Sequence, residues 1–286
     1  MIRLFPITFV FLWSSAFITS KVIVEESSPF TALAFRFAIV SFGFFLFSLY
    51  KKQKVIIPFR DILESGITGI LFHGLYLGGV FFAIYSGLPA GVAALIVCLQ
   101  PILTNSLAGP LLGEYVSRIQ WAGIVLGFFG TFLVLGFDVG TTLPLIGIFS
   151  SIVALSAVTS ATLWQKKISG KIPLSVNNMY QAISAFIFHF IIMLLFEEPY
   201  INFSINFLWA MSWQILIVSF GAFTILMYLI KIDSASKISA LFFLVPPVSV
   251  LMAWFFLGET LSLLDILGLC IATMGVYIVM KKKSSN

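Results

Sequence analysis

The chain has 286 residues, of which 60% are hydrophobic and 9% charged, with a formal net charge of +5. Soluble domains carry about 25% charged residues, and a water-soluble fold of this size cannot cover its surface with so few. An ordinary soluble enzyme is therefore excluded, and so is a nucleic-acid partner, because the Lys and Arg residues sit in separate short loops rather than in one patch.

A helix needs about 20 mostly apolar residues to cross a hydrocarbon core of about 30 Å. Ten stretches meet this requirement. The first, 4–22, follows Arg3 in the manner of a signal peptide. No small-residue cleavage site precedes the next span, so it is expected to remain as a helix. It carries Trp13 and Ser14 near mid-membrane, where an indole N–H needs a partner in a cavity wall or in the packed core. The second, 30–50, follows Pro29 and holds Arg36 about two turns from its outer end. That guanidinium can meet an anionic substrate group, snorkel outward or bond helix carbonyls, and a structural role is the expectation. The third, 62–84, centres on His73, with Tyr76 one turn along the same face. An ionisable residue at that depth is a candidate site residue; the alternative is a neutral histidine bonded to another helix.

The fourth span, 90–112, contains Gln100, Pro101 and Asn105, and the fifth, 118–137, contains Gly123, Gly127 and Gly130, a flat face for close helix packing. The sixth is placed at 145–165. The seventh, 176–196, has a polar start of Asn177, Asn178, Tyr180 and Gln181, read as capping, and includes His189, expected to bond a neighbouring helix. The eighth is 208–230, the ninth, 238–257, carries Phe242 and Pro246, and the tenth is 262–280. Trp121, Trp164, Trp209, Trp213 and Trp254 fall toward span ends, as interfacial belts require. Cys98 and Cys270 lie inside apolar runs and indicate no disulfide framework. The apolar runs are too long for β-barrel strands of about ten residues.

Ten spans place the even-numbered loops and both termini on one side. Those loops carry Lys51, Lys52, Lys54, Arg60, Arg118, Lys166, Lys167, Lys171, Lys231 and Lys237; the termini add Arg3, Lys281, Lys282 and Lys283. Only Lys21 falls on the other side, and Arg36 is within a span. Cytoplasmic loops are enriched in Lys and Arg, so both termini are expected to be cytoplasmic and the protein to sit in the cell's inner (plasma) membrane.

The sequence also repeats itself. Pro101 to Val134 matches Pro246 to Val279 at one constant offset: Leu112-Gly113-Glu114 pairs with Leu257-Gly258-Glu259, Ser117 with Ser262, Gly123 with Gly268, and Gly130 with Gly275. Residues 1–140 and 141–286 are thus expected to be two five-helix repeats within one membrane domain. An odd number of spans inserts the second copy upside down, the inverted-repeat plan of secondary transporters.

Two features of the repeat have a physical reading. Ser117 to Gln120 and Ser262 to Asp265 read as capping boxes at the starts of spans five and ten, with Glu114 and Glu259 available to nearby backbone donors. Pro101 and Pro246 each remove a donor, freeing the carbonyls of Val97 and Phe242; the resulting kinks either line a cavity or are merely structural.

Trp13-Ser14-Ser15-Ala16-Phe17 with Lys21, Pro29 with Arg36, the two proline-to-Leu-Gly-Glu stretches and the glycine-rich spans behind them together resemble the EamA-like branch of the drug/metabolite transporter superfamily. Ala157 departs from the tryptophan often found there in the second half. The resemblance covers nearly the whole chain. It implies an all-α membrane fold of ten helices in two inverted repeats, a central cavity, and transport of metabolites without ATP hydrolysis, often export of amino acids or related compounds.

The residues themselves agree with that class. A Walker-type phosphate loop is missing from the sequence, as are His-Glu-x-x-His, Gly-x-Ser-x-Gly and any intramembrane carboxylate cluster for a metal. A secondary transporter that exports a small amino-acid-like metabolite is the leading expectation. An importer of the same fold is the alternative, followed by a membrane-embedded enzyme and by a channel or scaffold. The candidate substrate-binding residues are Trp13, Ser14, His73, Tyr76, Gln100, Pro101, Phe242 and Pro246; no cofactor, metal or catalytic residue is expected. His73 offers a route to proton coupling, and the apolar perimeter suits a monomer or a homodimer.

Overall fold

The computed structural model describes residues 4–135, 143–257 and 262–281. It contains ten helices long and apolar enough to cross a membrane. They are α1 (Phe5–Glu26), α2 (Pro29–Tyr50), α3 (Phe59–Tyr85), α4 (Val92–Leu112), α5 (Arg118–Leu135), α6 (Leu145–Ile168), α7 (Leu174–Phe196), α8 (Ile205–Ile232), α9 (Ala235–Met252, its helix running on to Leu257) and α10 (Leu263–Lys281). Each falls on one of the ten expected spans. Among the described residues the one β pairing is an isolated bridge between Ser27 and Ile201.

Four helices are not regular, and hydropathy alone does not reveal this. Residues Ile70–Leu77 of α3 and Gln214–Ala222 of α8 widen into π-helical turns. Helix α4 is broken between Val97 and Gln100, just before Pro101, and α9 tightens into a 3₁₀ turn at Leu241–Leu244, just before Pro246. The proline pair explains the second set, since each ring removes a donor and crowds the preceding turn. The freed Phe242 carbonyl is met by the Cys98 thiol at 3.9 Å, and the Phe243 carbonyl, freed by Pro247, by the Thr131 hydroxyl at 2.8 Å. All four irregularities recur at the offset that relates the two halves of the sequence.

The halves also touch reciprocally. Helices α5 and α10 cross backbone to backbone through glycine: a methyl group at Gly123 would stand 2.8 Å from the Gly275 carbonyl oxygen, and one at Gly130 would stand 2.6 Å from that of Gly268. Gly123 matches Gly268 in the repeat and Gly130 matches Gly275, so one contact is the image of the other.

Both expected capping boxes form. Ser117 N donates to Gln120 Oε1 (2.9 Å) and Gln120 N to Ser117 Oγ (3.3 Å); Ser262 N donates to Asp265 Oδ2 (2.7 Å) and Asp265 N to Ser262 Oγ (3.1 Å). Glu114 accepts from Ala235 N (2.9 Å), Ser236 N (3.1 Å) and Ser236 Oγ (2.9 Å), anchoring the start of α9. Glu259 lies outside the described residues.

At one end of the bundle the α1–α2 turn meets the α7–α8 loop. Ser28 N donates to Tyr200 O (3.0 Å), Asn202 N to Glu26 O (2.8 Å), and Glu197 accepts from Phe30 N and Thr31 N (both 2.9 Å). At the other end the α2–α3 loop meets the start of α7, and the α6–α7 loop meets the start of α3. Ser175 pairs with Gln53, Lys171 with Glu64, and the Tyr180 hydroxyl donates to Val55 O at 2.9 Å. The basic loops gather at this second end. Lys166 donates to the Ile230 and Asp233 carbonyls there (3.0 and 2.5 Å), where a cation complements a helix C-terminus.

Candidate functional site

The buried core between the ends joins α1, α3, α6, α8 and α9. Within it, α1, α2, α3 and α8 enclose a small pocket. Trp13 and Ser20 come from α1, Arg36 from α2, His73 and Tyr76 from α3, and Gln214, Val218 and Phe223 from α8. The π-helical turns supply His73, Tyr76, Gln214 and Val218. A widened turn shifts side chains off the regular helical register, and such turns gather at functional sites. The enclosed space is about 30 Å³, room for about two waters. Two larger hollows, of about 420 and 500 Å³, flank α2 and α7 among exposed phenylalanines. The first is mostly apolar; the second also has Lys51, Gln53, Ser175 and Thr224 in its wall.

The pocket's polar groups are held from behind. Gln214 Nε2 donates to Ala16 O (2.9 Å), Thr19 Oγ1 (2.9 Å) and Ser20 Oγ (3.0 Å), which ties α8 to α1 and fixes the direction of its amide. The Gln214 Oε1 and His73 Nδ1 atoms are buried without a partner among the described residues. Arg36 is 3% exposed; its Nε and Nη2 both donate to Ser219 Oγ, at 3.0 and 2.9 Å. Among the described residues no carboxylate lies within salt-bridge distance of that guanidinium. His189 donates from Nε2 to the His73 carbonyl at 3.0 Å and stacks on Phe37, so α7 braces the widened turn of α3.

Of the eight sequence candidates, Trp13, His73 and Tyr76 meet in this pocket and five do not. Ser14 donates to the Val245 carbonyl at 3.0 Å, strapping α1 to α9. Phe242 packs edge-on against Trp13, with ring centroids 5.7 Å apart, and closes the wall behind it. Gln100 bonds Thr104 (3.1 Å) and Thr162 (3.3 Å) in a separate polar patch between α4 and α6. Pro101 is buried beside that patch, and Pro246 lies at the start of the regular part of α9.

The polar start of α7 is buried rather than solvated. Gln165 Oε1 accepts from Gln181 Nε2 (2.9 Å) and Asn177 Nδ2 (3.4 Å), and Asn177 Oδ1 accepts from Ser65 at 2.9 Å. Gln214 and Ser219 escape the sequence reading. Their signal is polarity inside an otherwise apolar eighth span, five residues apart, a spacing that shares no face on a regular helix.

A family model described as the EamA-like transporter family matches residues 2–136 and again residues 145–281. The uncharacterized transporter YvbV of Bacillus subtilis is 23% identical, covering 97% of this chain and 90% of that protein. The uncharacterized inner membrane transporter YedA of Escherichia coli K12 is 25% identical, covering 94% of this chain and 87% of its own. A probable amino-acid metabolite efflux pump of Salmonella typhimurium is 26% identical, covering 94% and 91%. A solved crystal structure shares the fold, with a TM-score of 0.82 at 19% identity over 97% of this chain and 95% of that one.

Proposed function

The chain belongs to the EamA-like transporter family, and on that premise we propose that it exports a small amino-acid-like metabolite across the inner membrane by alternating access. Two oppositely inserted five-helix halves, 1–140 and 141–286, rock about the pocket between α1, α2, α3 and α8. The observation that carries this is the pocket itself: a buried arginine, a histidine and polar side chains gathered around a small space inside apolar helices, a costly arrangement that by default marks a functional site. The reciprocal glycine contacts and the paired irregularities support the two-half plan. The twofold match of the family model supports it as well. Trp13, His73 and Tyr76 wall the site, Phe242 backs it, and Pro101 and Pro246 act as hinges. Ser14 and Gln100 tie the neighbouring helices. The gathering of basic loops at one end supports cytoplasmic termini.

The substrate class rests on the relative named as an amino-acid metabolite efflux pump. Overexpression should raise resistance to toxic amino-acid analogues and lower their accumulation in the cell. Raised accumulation would mean import instead, and indifference to every analogue would remove the substrate class. Proton coupling through His73 is part of the same reading. An imposed pH gradient should drive uptake into proteoliposomes, and His73→Ala should abolish that dependence; flux indifferent to both removes the coupling.

A further inference from the structure

We infer that the pocket is built to hold a zwitterion, with Arg36 and Gln214 as its two poles. This rests on the transporter reading above and narrows it to α-amino acids with an apolar side chain.

The positive pole is Arg36. A guanidinium has five N–H donors and cannot lose its charge in a protein. Ser219 Oγ accepts two of them, and no other acceptor bonds the remaining three among the described residues. Burying a cation without a counter-charge is expensive, and removing water from it without a hydrogen-bonded partner adds to the cost. A structural arginine of this depth would be expected to end on helix carbonyls or a carboxylate. This one ends on a single neutral hydroxyl and lines a cavity. Ser219 holds Nε and Nη2, which leaves Nη1 available. A carboxylate reaching it would gain a charge-assisted bond and would neutralise the site.

The acceptor pole is Gln214, fully buried. Its amide orientation is set from α1: Ala16 O can only accept, and the Thr19 and Ser20 hydroxyls already donate to backbone carbonyls, so the side of the amide facing them must be the NH2 group, its two hydrogens shared among the three oxygens. Oε1 must therefore face the other way. It lacks a donor, and it belongs to a residue lining the same cavity as Arg36. His73, another residue lining that cavity, carries a second buried atom, Nδ1, with no partner among the described residues. A ligand ammonium supplies the donor that Oε1 needs, and it can donate to His73 Nδ1 as well in the tautomer that carries its proton on Nε2.

A carboxylate for one pole and an ammonium for the other describe an α-amino acid. The rest of the wall, formed by Trp13, Val218 and Phe223, selects an apolar side chain. The space of about 30 Å³ is too small for such a molecule, so loading requires α1 and α8 to part and the amide of Gln214 to move with α8.

Binding to the purified protein in lipid nanodiscs tests the assignment through tryptophan fluorescence and calorimetry. The probes are L-phenylalanine, phenethylamine, which lacks the carboxylate, and 3-phenylpropionate, which lacks the ammonium, with the corresponding leucine series beside them. The amino acid should bind at least about tenfold more tightly than either analogue, a difference of about 1.4 kcal/mol. Arg36→Gln should abolish the preference over the amine, and Gln214→Met should abolish the preference over the acid. Arg36→Lys keeps the charge and should retain part of the first preference. A merely structural role for either side chain would weaken all three probes alike and leave the ratios unchanged. Where a variant fails to fold, the wild-type ratios decide. An amine or an acid bound as tightly as the amino acid overturns this site while leaving transport standing. Failure of every amino acid to bind overturns the amino-acid class together with the site.

Discussion

Glycine residues that look alike in the sequence have opposite roles in the fold. Gly130 sits where α5 and α10 touch through their backbones, and a methyl group there would press on the Gly268 carbonyl oxygen at 2.6 Å. Backbone cannot swing aside as a side chain can, so the helices must separate. At Gly109, in α4, a methyl group would meet the Glu114 carbonyl oxygen at 3.6 Å, an ordinary contact. Gly130→Ala should destabilise the protein by about 1–3 kcal/mol, the usual cost of overpacking. Gly109→Ala should change stability by less than about 1 kcal/mol, because the gain in helix propensity is offset by crowding of the new methyl against the Pro110 ring. Thermal unfolding in one detergent checks both, and a Gly130→Ala protein as stable as wild type would remove the backbone contact. The small-residue face of the fifth span was legible because its glycines recur at helical spacing. Its partner was legible only through the repeat, which carries the same glycines into the tenth span.

At the scale of elements, hydropathy located every span, because an apolar run of membrane length has few other meanings. It did not reveal how the helices bend. A π-helical turn changes the hydrogen-bond register without changing composition, so α3 and α8 read as ordinary spans although they extend over 27 and 28 residues. The same blindness hid Gln214, whose neighbours on a regular helix would not include Ser219. Helix ends were more legible, since a capping box has a sequence form. The sequence placed Glu114 near free backbone donors but not on the far repeat. Its carboxylate collects three donors at the start of α9, across the boundary between the halves. Glu114→Gln keeps the shape but halves the acceptors and removes the charge. It should lower stability by about 1–3 kcal/mol, as loss of charge-assisted bonds does. Glu114→Asp, too short to reach all three donors, should fall at least as far. Proteins of unchanged melting temperature in both cases would mean the contact is incidental.

The whole molecule is fastened at both ends, and this bears on how it moves. On one side the α1–α2 turn grips the α7–α8 loop, and on the other the start of α7, just after the α6–α7 loop, grips the α2–α3 loop. The repeat relation carries the first pair of loops onto the second, so the two fastenings are counterparts on opposite faces. With both closed, the space between is about 30 Å³, too small to hold a substrate. Alternating access then requires one fastening to release while the other holds. Glu26 and Asn202 lie at the first fastening, with the Asn202 amide donating to the Glu26 carboxylate at 2.6 Å. Cysteines at these two positions, in a protein with Cys98 and Cys270 replaced, should be joined by a membrane-impermeant bifunctional reagent added outside intact cells, if the termini are cytoplasmic as proposed and this end faces outward. Cross-linking should stop net transport, and a cleavable reagent should restore it on reduction. The counterpart pair, Gln53 and Ser175, should react only from the cytoplasmic side and block transport as fully. Full-rate transport with either end locked would show that the halves do not rock, and reaction of the Gln53 and Ser175 pair from outside would invert the orientation.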